Sequence, residues 1–159
     1  MCPFASRLFL ASLLLLCVLP AQAAQRTFVS TAGSDANTAS SCASTTPCRG
    51  FGAALTVTDA GGEIIALSSG GYGPVTITKS VSLISPEGVY AGISVFSGAG
   101  ITIATAGVNV ILRGLSVNSM GSSTRGVHMT DGAKLLMLPT TVHPKWYLEF
   151  QRQRHHSVC

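Results

Sequence analysis

An all-β fold wound as a short parallel solenoid is what the sequence predicts, and three features of residues 63–118 carry the prediction. Apolar and small polar residues alternate in brief runs. Val75 and Ile77 alternate with Thr76 and Thr78, Val81 and Leu83 flank Ser82, and Ile93 and Val95 flank Ser94. Ile101 and Ile103 flank Thr102, and Leu115 and Val117 flank Ser116. Successive strand side chains point to opposite faces, so each run presents one apolar row and one Ser/Thr/Asn row. The runs are three or four residues long, shorter than the roughly five or six usual in sandwiches and barrels. The intervening Ser69–Gly71, Ser85–Gly88 and Ser97–Gly100 suit corners that bend the path, and the stretch holds no Asn-Gly or Asp-Gly hairpin dipeptide. Such short strands bury their apolar row only by stacking turn upon turn. Because the repeat is irregular in length, a β-sandwich is the alternative.

Taken in order, residues 1–23 read as a secretory signal peptide. Arg7 supplies the positive charge, Leu8 to Leu19 is an uncharged apolar run, Pro20 breaks it, and Ala21-Gln22-Ala23 has the small-x-small form of a cleavage site. The run falls short of the ~20 residues that span a bilayer, so no membrane span is expected once the leader is removed. The expected location is secreted or periplasmic. Cys2 and Cys17 leave with the leader. In an oxidising compartment Cys42 and Cys48 can then close a small disulfide loop across Ala-Ser-Thr-Thr-Pro, with Cys159 left over.

Residues 24–62 are expected to form an N-terminal unit. It comprises a strand over Arg26 to Ser30, a polar loop carrying the disulfide, and a short helix between Cys48 and Ala60. Phe51, Ala54, Leu55 and Thr58 fall at helical spacing, with Thr45 or Thr46 as cap and Gly61-Gly62 as the stop. This helix is expected to cover the first apolar rung and its sheet edge. Gly33-Ser34-Asp35-Ala36-Asn37 has the outline of a calcium loop, but only Asp35 and Asn37 offer ligands where calcium takes about six oxygens or more. A plain turn is the expectation.

Phe51-x-x-Ala54-Leu55, Gly62-Glu63-Ile64-Ile65, Gly71-Tyr72 with Val75-x-Ile77, and Lys79 with Val81-x-Leu83 together resemble the opening of pectinesterase-like and pectate-lyase-like proteins. The chain is most similar to exported bacterial proteins of that superfamily with no assigned activity. The resemblance covers roughly Arg26 to Lys134 and implies a right-handed parallel β-helix, here over residues 63–134, with a short N-terminal capping helix. It does not carry the chemistry. Where pectinesterases place a Glu after that Tyr, Gly73-Pro74 stand here, and the later catalytic Gln, Asp pair and Arg have no counterpart in this sequence.

Reading the residues directly gives no catalytic set. Asp35, Asp59, Glu63, Glu87 and Asp131 do not pair on one strand face, as glycoside hydrolysis needs. No Gly-x-Ser-x-Gly elbow or nucleotide-binding glycine pattern occurs. No cofactor and no metal is expected. The candidate ligand-binding residues are Arg113, Asn118, His128 and Tyr72, with Tyr90 as a second aromatic. Arginine's fork of donors matches a carboxylate's two oxygens, tyrosines stack on sugar rings, and His128 faces outward with Asp131 or Arg113 as a prospective partner. These residues suit a polysaccharide along an outer sheet face, with plain surface roles as the bland reading.

Residues 135–159 change character: no glycine, the only Trp, and Pro139 and Pro144. They are expected to be irregular or partly helical, with a helix from Lys145 to about Arg154. The abrupt shift is also read as a frame-shifted, non-native tail that leaves a truncated coil. His143, His155, His156 and Cys159 lack a recognised zinc spacing. The net charge of +4 comes without a basic, aromatic-interleaved stripe, so nucleic acid is not an expected partner. Three function classes follow: a non-catalytic exported module contacting polysaccharide, a remnant of a pectin-active enzyme, or an adhesin-like passenger. Self-association is expected through an uncapped C-terminal end.

Overall fold

The structure is a computed structural model that describes residues 25–121 and 124–143. The expected signal peptide, Cys159 and the helix after Lys145 lie outside these residues. Within them the chain is predominantly β, in twelve strands: β1 (Arg26–Val29), β2 (Gly62–Ala66), β3 (Gly70–Gly71), β4 (Val75–Ile77), β5 (Val81–Ile84), β6 (Ala91–Val95), β7 (Ala99–Ile103), β8 (Asn109–Arg113), β9 (Leu115–Ser119), β10 (Arg125–Met129), β11 (Lys134–Leu138) and β12 (Thr141–His143). One α-helix, α1, spans Phe51–Val57, preceded by a 3-10 turn at Asp35–Ser40.

The strands form three sheets: a first of order β1-β2-β5-β8-β11, a second of order β12-β9-β6-β3 and a third of order β10-β7-β4. Every pairing between them is parallel. From β2 onward, successive strands fall into the first, second and third sheets in turn, an order compatible with a parallel β-helix.

Register explains the alternation seen in the sequence. In the first sheet Ile64, Leu83, Leu112 and Met137 are aligned, as are Gly62, Val81, Val110 and Leu135. In the second, Ile93 aligns with Val117 and Ala91 with Leu115. In the third, Val75, Ile101 and Val127 form one row and Ile77, Ile103 and Met129 another. Most of these side chains are fully buried, and Leu135, Met137 and Met129, at the last strands, are partly so. Burying each Val, Ile or Leu stabilises by about 1.5–3 kcal/mol, so aligned rows outweigh any local strand preference. The corner between β8 and β9 depends on Gly114. Its φ is 69°, and a Cβ there would sit 2.4 Å from the Ser85 carbonyl oxygen.

The helix covers the early strands as expected, burying Phe51, Ala54 and Leu55, but its ends differ. Gly50 is the N-cap, and no side chain bonds there from Thr45 or Thr46. Asp35 instead reaches in from the preceding turn. Its Oδ1 accepts from the backbone N–H groups of Arg49 (2.8 Å) and Gly50 (2.9 Å), placing a carboxylate at the positive end of the helix. The helix stops at Val57, ahead of Gly61, because Thr58 turns extended (ψ 135°). The Thr58 hydroxyl donates to the Ala54 carbonyl at 2.7 Å and so accepts from Thr27 at 2.7 Å. Lys79 Nζ donates to the Thr58 carbonyl at 2.7 Å.

The Cys42–Cys48 disulfide forms, with Cα atoms 5.0 Å apart. Its loop finishes the edge of the first sheet: Phe28 N–H donates to Cys42 O (2.8 Å), Cys48 N–H to Phe28 O (3.0 Å), and Ser30 N–H to Cys48 O (2.9 Å). The loop thus satisfies backbone groups that β1 would otherwise leave open.

Strand pairing does not stop at Leu135. β11 pairs with β8 and β12 with β9, in place of an irregular stretch. Pro139, which has no N–H to donate, falls between the two strands rather than inside a ladder. The alternation was hidden because Leu135 and Met137 face the core while Leu136 and Leu138 lie on the exposed side, so both rows read as apolar.

Leu83→Ala should cost about 2–5 kcal/mol in chemical denaturation, whereas Ser82→Ala on the other row of the same strand should stay within about 0.5 kcal/mol. Replacing Cys42 and Cys48 with Ser should lower stability by about 2–5 kcal/mol, read as a fall in the denaturation midpoint that reductant reproduces in the wild-type chain.

Candidate functional site

The four candidate residues do not converge. Arg113 is exposed at the end of β8 in the first sheet, aligned with Ile84 and Leu138. His128 lies on β10 in the third sheet, half-buried and aligned with Thr102. Asn118 lies on β9 in the second sheet, aligned with Ser94. Of the prospective partners of His128, Arg113 belongs to another sheet, and Asp131 Oδ1 accepts from Gly132 N–H at 2.7 Å.

Tyr72 is corrected outright as a ligand contact. It is only 3% exposed, its ring lies 5.2 Å from that of Phe51, and its hydroxyl bonds Ser68. The Arg49 guanidinium sits 6.0 Å from the Tyr72 ring centroid and donates to Gly71 O at 2.8 Å. This tyrosine packs against Phe51 at the junction between α1 and the strands.

Tyr90 behaves differently. It precedes β6, is 50% exposed, and accepts at its hydroxyl from Asn118 Nδ2 at 3.0 Å. Its backbone N–H donates to Ser69 Oγ at 3.0 Å. The ring presses on Gly92: a Cβ at that glycine would meet Tyr90 Cε1 at 2.8 Å and its hydroxyl oxygen at 2.9 Å. Two sequence signals could have revealed this arrangement: a glycine on the outer row of a strand, which marks a close approach, and a tyrosine two residues before it.

The second sheet's solvent face is therefore distinctive. Gly71, Gly92 and Ser116 align in one row and Ser94 and Asn118 in the next, and the backbone of β12 pairs beside β9. Phe96 (74% exposed) and Met120 (65%) follow directly at the ends of β6 and β9. Among residues whose side chains are described, its strands carry no Lys, Arg, His, Asp or Glu. The first sheet's outer rows instead hold Arg26, Glu63 and Arg113 beside Ile65, Ile84 and Ile111.

Charged groups elsewhere serve the fold. Glu63 accepts from Arg26 Nε at 2.8 Å, and Asp35 holds the helix start. Asn37 Nδ2 donates to Pro47 O at 2.8 Å, so both residues of the calcium-like loop are tied into a turn. Among the described residues, no group of three His, Cys, Asp or Glu is placed to hold a metal.

Asp35→Ala should cost about 1–2 kcal/mol in thermal or chemical unfolding, the range for a charge-assisted bond at a helix start. Added calcium should leave the wild-type midpoint unchanged if the loop is purely structural. Comparison of the chain with protein-family models, curated proteins and solved structures returned no match.

Proposed function

We propose that this chain is an exported, non-catalytic module that winds as a right-handed parallel β-helix and contacts polysaccharide along the solvent face of β3, β6 and β9. The cyclic assignment of strands to three sheets supports the winding, and right-handed crossovers are the general rule for parallel strands. The Cys42–Cys48 disulfide is compatible with an extracellular or periplasmic location. No helix among the described residues is long and apolar enough to cross a membrane.

One observation carries the polysaccharide reading: the exposed ring of Tyr90, fixed against Gly92 and hydrogen-bonded by Asn118. An aromatic face next to an amide offers a sugar a stacking surface and hydrogen-bonding groups. Repeating small residues keep the surrounding sheet low enough for an extended polymer to cross it. The non-catalytic reading rests on the structural engagement of Asp35 and Glu63 and on the dispersal of His128 and Arg113 over separate sheets.

Pull-down of the full chain on insoluble neutral and acidic polysaccharides tests this. Tyr90→Ala should reduce retention about tenfold, while Arg113→Ala and His128→Ala should leave it unchanged. Retention indifferent to Tyr90→Ala would sink the proposal.

A further inference from the structure

We infer that the site takes an uncharged glycan, with the Tyr90 ring preset against Gly92 as its stacking platform and Asn118 as the residue that positions it. This rests on the polysaccharide reading above and adds the ligand class and the device that presents it. Three observations carry it. The hydroxyl end of the ring is held twice: Cε1, Cζ and the hydroxyl oxygen lie where a side chain on Gly92 would begin, and the Asn118 amide donates to the hydroxyl at 3.0 Å. Tyr90 nonetheless has 50% of its surface exposed, which leaves ring surface open to solvent.

The face of such a ring is electron-rich at its centre and attracts the weakly positive axial C–H bonds of a pyranose. Around it, the described side chains of the second sheet are Ser94, Ser116 and Asn118, without a cation to offset the desolvation of a uronate. The arginine suited to a carboxylate, Arg113, belongs to the first sheet. Asn118 has donor and acceptor capacity beyond its one bond to Tyr90, enough to engage a sugar hydroxyl without releasing the ring.

Native affinity electrophoresis of the full chain in gels containing hydroxyethyl cellulose or polygalacturonate tests the inference, with Gly92→Ala as the informative variant. The three atoms nearest the added methyl group are all at the far end of the Tyr90 side chain, so the ring must shift while the fold survives, as circular dichroism would verify. The expected result is retardation of the wild-type chain by hydroxyethyl cellulose, weakened about tenfold in Gly92→Ala and in Tyr90→Ala. Equal retardation of Gly92→Ala and wild type would overturn the preset ring. Tyr90-dependent retardation by polygalacturonate alone would overturn the uncharged class while leaving the polysaccharide reading intact. Absence of any Tyr90-dependent retardation in both gels would overturn both.

Discussion

In-register stacking of apolar side chains between parallel strands is the constraint on which the rest of this structure depends. Ile64, Leu83 and Leu112 each fill the space between the residues directly before and behind them in the row. Strands in a sheet lie only about 4.8 Å apart, so branched aliphatic side chains in such a row make van der Waals contact along its whole length. A shift of one residue would turn a whole row to solvent. Strands of two to five residues are too short to be stable alone, and they persist because each is clamped between neighbours.

A stack of this kind must be closed where it begins, and much of the N-terminal sequence is spent on that. The disulfide loop bonds the open edge of β1, and α1 lays Phe51, Ala54 and Leu55 against the early strands. Tyr72, Asp35, Thr27, Thr58 and Lys79 then fasten the helix at both ends. Residues with chemistry to offer are used up in this closure. That is why a tyrosine, an aspartate and a lysine in this region have structural employment rather than exposure to a ligand.

The outer rows of the three sheets are unconstrained by stacking and differ from one another. The first sheet mixes Ile65, Ile84 and Ile111 with charges, the third aligns Thr76, Thr102 and His128, and the second keeps glycine, serine and asparagine under one aromatic ring. Freedom on the outer rows is what lets a repetitive scaffold carry a specific surface.

Local pattern in the sequence determined the strands with one polar row, the short helix, and the cysteine pair. Each depends on spacing within a few residues, which the chain displays directly. It obscured β11 because Leu136 and Leu138 make both rows apolar, and it could not show that Asp35, fifteen residues from Gly50, holds the helix start. Nor could it separate Tyr72 from Tyr90, two turn tyrosines alike in sequence. Only the tertiary structure decided that one is sealed under Phe51 and Arg49 while the other lies over Gly92 beside Asn118. The physical reason is register: it brings residues more than twenty positions apart to neighbouring places on one face, and no local pattern encodes which residues those will be.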